Sequence, residues 1–200
     1  LVRRVDAMRD RLAPTERDMH EWLRAVLRGD WDETVRRQQA IAARDPQYPL
    51  PHYLIGLHSV RRLRPDVALP ALLASDSGMT ARGWAPQIGA LADAYHQLGR
   101  HEDELATVAR GRRLFPTNRT LLARALRAHA PLRRPAAALA LVDTVLATMT
   151  DTLARDLTAV LTGASEFRAH GDSATARAIA ERVLAWHAAH PPRTVGPGYA

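Results

Sequence analysis

One turn recurs along this chain, and its spacing constrains the fold more than any other feature. It is written Gly29-Asp30, Leu63-Arg64-Pro65, Gly99-Arg100, Arg133-Arg134-Pro135 and Gly171-Asp172. The turns stand at 29, 63, 99, 133 and 171, with separations of 34, 36, 34 and 38 residues. Self-similarity at such a period marks a repeat array, because a chance helical bundle has no reason to keep it. Around Gly99 the unit is plain. Ile88, Leu91, Ala92, Tyr95 and Leu98 recur at three- and four-residue steps before it, and Leu105, Val108, Ala109 and Leu114 after it, as one face of a helix requires. Gly111 permits close approach of a neighbouring helix, the acids from His101 to Glu104 suit a first turn, and Pro116 prevents continuation. The unit is an antiparallel helical hairpin, and where a turn lacks Gly, a Pro opens the next helix instead.

Composition agrees. The apolar residues are mostly Ala and Leu, with four Trp, four Tyr and two Phe, which suits close helix packing better than a β-sandwich. Cysteine is absent, so disulfides and thiolate metal sites are excluded. No apolar run approaches the roughly 18 residues of a membrane span. All 28 cationic side chains are Arg, a bias that a GC-rich bacterial genome explains. The chain opens at Leu1 and closes on PPRTVGPGYA, which reads as a segment of a longer cytoplasmic protein.

With its period, turns and signature residues, the chain resembles the tetratricopeptide repeat family over roughly residues 16 to 190. The resemblance is best at 86 to 118, where Leu91, Tyr95, Gly99 and Pro116 fall on signature positions; Gly171 and Ala176 match in 160 to 190. It implies an all-α, right-handed α-solenoid of about five helix-turn-helix repeats over 15–190. Residues 1–14 are then a helix of an upstream repeat or an N-terminal cap, with Leu1, Val5, Met8 and Leu12 on one stripe, and 191–200 a linker or tail. Thr15 to Asp18 reads as an acidic capping box opening the first repeat. Three departures carry expectations: Glu104, where the family usually has a small Ala, should disturb the third pair. Pro70 should kink or shorten the second helix of repeat two, and SDSGMTARGW at 75 to 84 should be a loop.

In this family the first helix of each pair lines a concave groove that receives a peptide or partner helix. The matching positions are Met19, Leu23, Val26, Tyr53, Leu57 and Val60, then Asp93 and His96, then Arg127 and Arg168. The resemblance therefore implies a protein-interaction module with a groove apolar at one end and cationic at the other. The grip on a C-terminal carboxylate known in some members is not expected, because Leu23, Leu57, Asp93 and Arg127 stand at its positions.

Charge adds one localised feature. No acid occurs in 105 to 142, where Arg110, Arg112, Arg113, Arg119, Arg124, Arg127, Arg133 and Arg134 all fall, and the net charge of +7 is essentially this segment. Such a patch suits acidic sequences, since guanidinium pairs carboxylate or phosphate bidentately. A regulatory or sensory domain acting on another domain of its own chain, such as a transcription regulator or kinase, is the first alternative. Nucleic-acid binding is the second and weaker one, because only Phe115 interleaves with the cations, whereas base-stacking platforms need several aromatics. Enzyme chemistry is not expected: there is no GxSxG, phosphate-cradling loop or Rossmann fingerprint. His101-Glu102-Asp103-Glu104 lacks the second His of a zincin helix, and His187 and His190 end a helix beside Pro191, so neither metal nor cofactor is called for.

Overall fold

The computed structural model describes residues 9–116, 118–149 and 154–190. Among them are a 3-10 turn at Arg9–Arg11 and ten α-helices: α1 (Pro14–Arg28), α2 (Trp31–Arg44), α3 (Pro49–Arg61), α4 (Pro65–Ala81), α5 (Ala85–Gln97), α6 (His101–Leu114), α7 (Arg119–His129), α8 (Pro135–Thr148), α9 (Ala154–Ala169) and α10 (Ser173–Ala189). No strand occurs among the described residues. The chain forms two compact units, Leu1–Arg100 and His101–Ala200. The stripe at Leu1, Val5 and Met8 and the tail at 191–200 lie outside the described residues.

The recurring turn has one geometry. At Gly29, Leu63, Gly99, Arg133 and Gly171, φ is between 53° and 83°. The N–H of that residue donates to the carbonyl three positions back, and the next N–H to the carbonyl five back, at 2.9–3.1 Å. This is the Schellman cap, which satisfies helix-end carbonyls and stops the helix. Gly83, between α4 and α5, makes a sixth, with φ 72°. Asp30 and Asp172 then begin the next helix by accepting from Glu33 N and Thr175 N at 3.0 and 2.9 Å. Gly-Asp thus ends one helix and starts another in two residues.

Leu63 and Arg133 hold the left-handed conformation without being glycine, where a Cβ crowds the carbonyl. Leu63 is 75 % exposed, so it contributes little packing in return. Leu63→Gly is expected to stabilise the protein by roughly 0.5–1 kcal/mol, the relief of left-handed strain outweighing the added unfolded-state entropy. Urea unfolding of the variant beside wild type checks this.

In the first unit α1 packs on α2, α2 on α3, and α3 on both α4 and α5. Its core holds Tyr53, Val60, Ala68, Leu72, Met79, Ala90, Leu91 and Ala94. Three local expectations are corrected. The first helix starts at Pro14 with Ala13 as N-cap, not at Thr15. Glu16 still supplies half a capping box by accepting from Ala13 N at 2.8 Å. Pro70 neither ends nor shortens α4, which runs 17 residues through it. Pro70 lies in the second turn, so only the Asp66 carbonyl loses its partner, and both residues are exposed to water.

The expected loop at 75 to 84 is helical to Ala81. Its small polar residues serve packing. Ser75, fully buried, donates to Gln87 Oε1 at 3.0 Å and also lies 3.0 Å from the Leu72 carbonyl, which Gln87 Nε2 reaches at 2.7 Å. At Gly78 an added Cβ would come within 2.8 Å of Pro49. Gln87→Leu removes both of these hydrogen bonds across the α4–α5 contact, leaving the Ser75 hydroxyl only the Leu72 carbonyl of its own helix, and is expected to cost about 1–3 kcal/mol for the two bonds. Thermal unfolding would show it, and Ser75→Ala alone, which removes only one of the two bonds, should cost less.

His58 on α3 is buried, its ring 5.4 Å from Trp31 of α2, and its Nε2 has no hydrogen-bond partner. Burial, followed by the Arg61 charge, holds the imidazole below its ordinary value of 6.5. The unfolded state therefore takes up the proton first, and stability rises with pH in that window. The contribution is complete above about 6.5 and is lost as pH falls from there through the folded-state value. His58→Phe is expected to flatten that part of the stability–pH curve, as read by urea midpoints between pH 5 and 8.

The second unit packs α6 on α7, α7 on α8 and α9, and α10 on α8 and α9. Leu126, Val142, Val145, Val160, Phe167, Ile179 and Val183 form its core. Gly163 of α9 lies over Leu126 of α7, whose Cβ is 2.9 Å from where an alanine Cβ would stand. Arg182 of α10 reaches Asp143 of α8 at 2.9 Å. The disturbance expected at Glu104 does not occur. Glu104 is fully buried, and Arg127 of α7 donates to its Oε1 from Nε at 2.9 Å and from Nη2 at 2.6 Å. His101 Nδ1 lies 3.3 Å from its Oε2. A buried carboxylate is tolerable when paired and hydrogen-bonded, so here it joins α6 to α7.

Candidate protein-binding surfaces

In the first unit the side chains that the repeat pattern assigns to a groove divide by burial. Tyr53 is only 5 % exposed and stands edge-on to Trp84, ring centres 6.2 Å apart. Val60 is buried, and Leu57 is half-buried against the same core. These three pack inside the unit, which revises the expectation that Tyr53 offers itself to a ligand. Val26 on α1 and Asp93 and His96 on α5 are half-buried. Met19 and Leu23 on α1 do border open space: with Leu12, Trp22 and Tyr48 they line a cavity of about 440 Å³. The volume falls in the range of ligand pockets, and the lining is mostly apolar.

In the second unit the two expected groove cations behave differently. Arg168 is exposed in the last turn of α9. Arg127 is 19 % exposed and engaged by Glu104, so it is a packing element rather than an open cation. The Arg-rich segment is also partly neutralised from outside itself. Arg134 makes a bidentate pair with Glu102, at 2.5 and 3.1 Å, so two of the three acids of the α6 first turn, Glu102 and Glu104, turn onto it. Arg110 and Arg124 are half-buried, with Arg124 Nη1 3.2 Å from the Thr120 carbonyl. Arg112, Arg113, Arg119 and Arg133 are exposed.

A feature the sequence reading missed lies beside them. Two adjoining clefts, about 500 and 320 Å³, run between α6 and α8 over α7 and share Arg112, Leu141 and Thr144. The larger is lined by Leu105, Val108 and Ala109 of α6 and by Ala137 and Ala140 of α8, with His129 of α7. The smaller reaches Pro116, Asn118 and Arg119. His129 Nδ1 has no hydrogen-bond partner, and burial, then the Arg134 charge, holds its imidazole below the ordinary range. The available signal was the run PAAALALV that opens α8. Alanines at 137 and 140 leave unfilled the space a larger side chain would occupy.

Stacked hairpins of this design have been solved before. The structure matches a putative kinesin light chain with nearly identical TPR-like repeats from Podosopora anserina, with TM-score 0.63 and 14% identity over 94% of this chain and 97% of that one. The fold is a TPR-like helical repeat. A second match is MamA MSR-1 C2, with TM-score 0.57 and 16% identity over 87% of this chain and 80% of that one. No family profile matches the chain, and no curated protein matches it in sequence. In this TPR-like array α1, α3, α5, α7 and α9 are the first helices of successive pairs and α2, α4, α6, α8 and α10 the second. No described helix is long and apolar enough to cross a membrane.

Proposed function

We propose that the TPR-like array is a non-enzymatic, cytoplasmic protein-interaction module that binds a peptide or partner domain on its first-helix faces, with the Arg-rich segment favouring acidic sequences. A partner supplied by another molecule or by a further domain of the same chain meets the same surfaces. The observation that carries the reading is the open apolar cavity beside Met19 and Leu23, on the helix whose face a repeat array presents to its ligand. Stacked hairpins spread recognition over several helices and need no reactive group. The acids near one another in sequence, Asp30, Asp32 and Glu33, cap or pair: Asp32 with Arg62, Glu33 with Arg36 and Arg37.

The test is selection of peptides from a random displayed library on the full chain, followed by affinity measurement. Leu23→Glu is expected to weaken selected peptides about tenfold or more, the scale of losing a buried anchor contact. Leu184→Glu, on exposed α10 surface, should leave them unchanged. A library yielding no binder, or binders indifferent to Leu23→Glu, would reject the assignment.

A further inference from the structure

We infer that the α6–α8 cleft of the second unit is a separate docking site, on the second-helix face, for an acidic peptide segment carrying one apolar anchor residue. The inference rests on the reading above for the class of partner and for the preference of the Arg-rich segment for acidic sequences; its site, away from Met19 and Leu23, is different. Three observations carry it. The cleft has an apolar interior, with Leu105, Val108, Ala140 and Leu141 on its walls. Its mouth is cationic, with Arg112 bordering both clefts and Arg119 bordering the smaller. The helices that form it carry no acid between residues 105 and 142; their acids are confined to the first turn of α6 and to Asp143 of α8.

Of the four end acids, Asp103 is exposed in the first turn of α6 and lines neither cleft. Glu102 is held by Arg134, Glu104 by Arg127, and Asp143 by Arg182. The charge complement of such a surface is a carboxylate-bearing chain, and complementary charge both steers encounter and fixes register. The apolar interior chooses between anionic partners. A phosphate backbone has nothing to place there, whereas a Leu or Met flanked by Asp and Glu buries its side chain while the carboxylates reach the guanidinium groups.

Fluorescence anisotropy on the full chain tests this, using a labelled probe peptide with two adjacent Leu flanked by Asp and Glu, its Asn/Gln counterpart, and a labelled oligo-dT. The acidic peptide should bind, and the Asn/Gln counterpart about tenfold or more weakly, as loss of charge-assisted bonds implies. Arg112→Glu should weaken the acidic peptide about tenfold, against less than about twofold for Arg177→Glu, which makes the same charge change on exposed α10. Ala140→Trp, which fills the cleft from an exposed position, should weaken binding about fivefold or more without changing the charge. Ala109→Trp, from the opposite wall, repeats the test should the first variant fold poorly.

Leu23→Glu should have no effect. Loss with Leu23→Glu but not Arg112→Glu would move acidic binding to the first-helix face and overturn this inference while leaving the other intact. Equal losses from Arg112→Glu and Arg177→Glu would reduce it to diffuse attraction and overturn it. Absence of peptide binding would also overturn it, as would oligo-dT binding more tightly than the peptide with the same dependence on Arg112.

Discussion

Arg127→Met is expected to destabilise the second unit by about 3–5 kcal/mol, the cost of breaking a buried ion pair by removing its cation. Glu104 has no exposed surface, and its Oε1 takes both bonds from Arg127. With the guanidinium gone, the carboxylate loses both of those bonds, while His101 Nδ1 stays 3.3 Å from its Oε2. Glu104→Met with Arg127→Met should recover most of the loss, because well-packed apolar side chains can replace a buried ion pair at little cost. The double-mutant cycle, read by urea unfolding, isolates the pair. Hydrogen exchange at α6 and α7 amides localises it, since repeat arrays unfold in pieces. Additive single effects would show that the pair has no coupling. The same cycle bears on function: a destabilised Arg127 variant that still binds acidic peptide separates packing from recognition.

Gly56→Val is expected to cost about 3 kcal/mol, the upper end for overpacking a filled core. An added Cβ at Gly56 of α3 would stand 2.3 Å from Leu72 Cγ and 2.6 Å from its Cδ2. Leu72 of α4 is fully buried, so it has nowhere to move without displacing the core around Tyr53 and Leu91. Leu72→Ala alone leaves a cavity and costs about 2–5 kcal/mol. Combined, the two substitutions exchange volume across one contact and should cost clearly less than their sum. Thermal unfolding of the two single variants and the double checks this. A Gly56→Val protein as stable as wild type would contradict the close α3–α4 approach.

Much of the fold was legible because its signals are local. A left-handed cap needs Gly or an exposed residue that tolerates strain, a helix start welcomes Pro or Asp, and both lie within a few positions of what they act on. Gly29-Asp30 and Gly171-Asp172 could be read directly, and Leu63 and Arg133 were found only through their period. Where local composition misled, a distant contact had changed its meaning. Ser75 and Gly78 look like loop residues until Gln87 and Pro49 are set against them. Pro70 is a different case: no distant contact is involved, and its place in the second turn leaves only the exposed Asp66 carbonyl without a helix partner.

By itself, then, the chain's order of residues determined five helical hairpins at a regular spacing, with no disulfide and no recognisable catalytic motif. Tertiary structure alone decided which charges remain open. Arg127 and Arg134 are indistinguishable in sequence from Arg112 and Arg113, yet the first two meet acids 23 and 32 positions away. The cleft between α6 and α8 has the same origin. A pairing or a void depends on how two helices sit against a third, and no spacing along one helix carries that information.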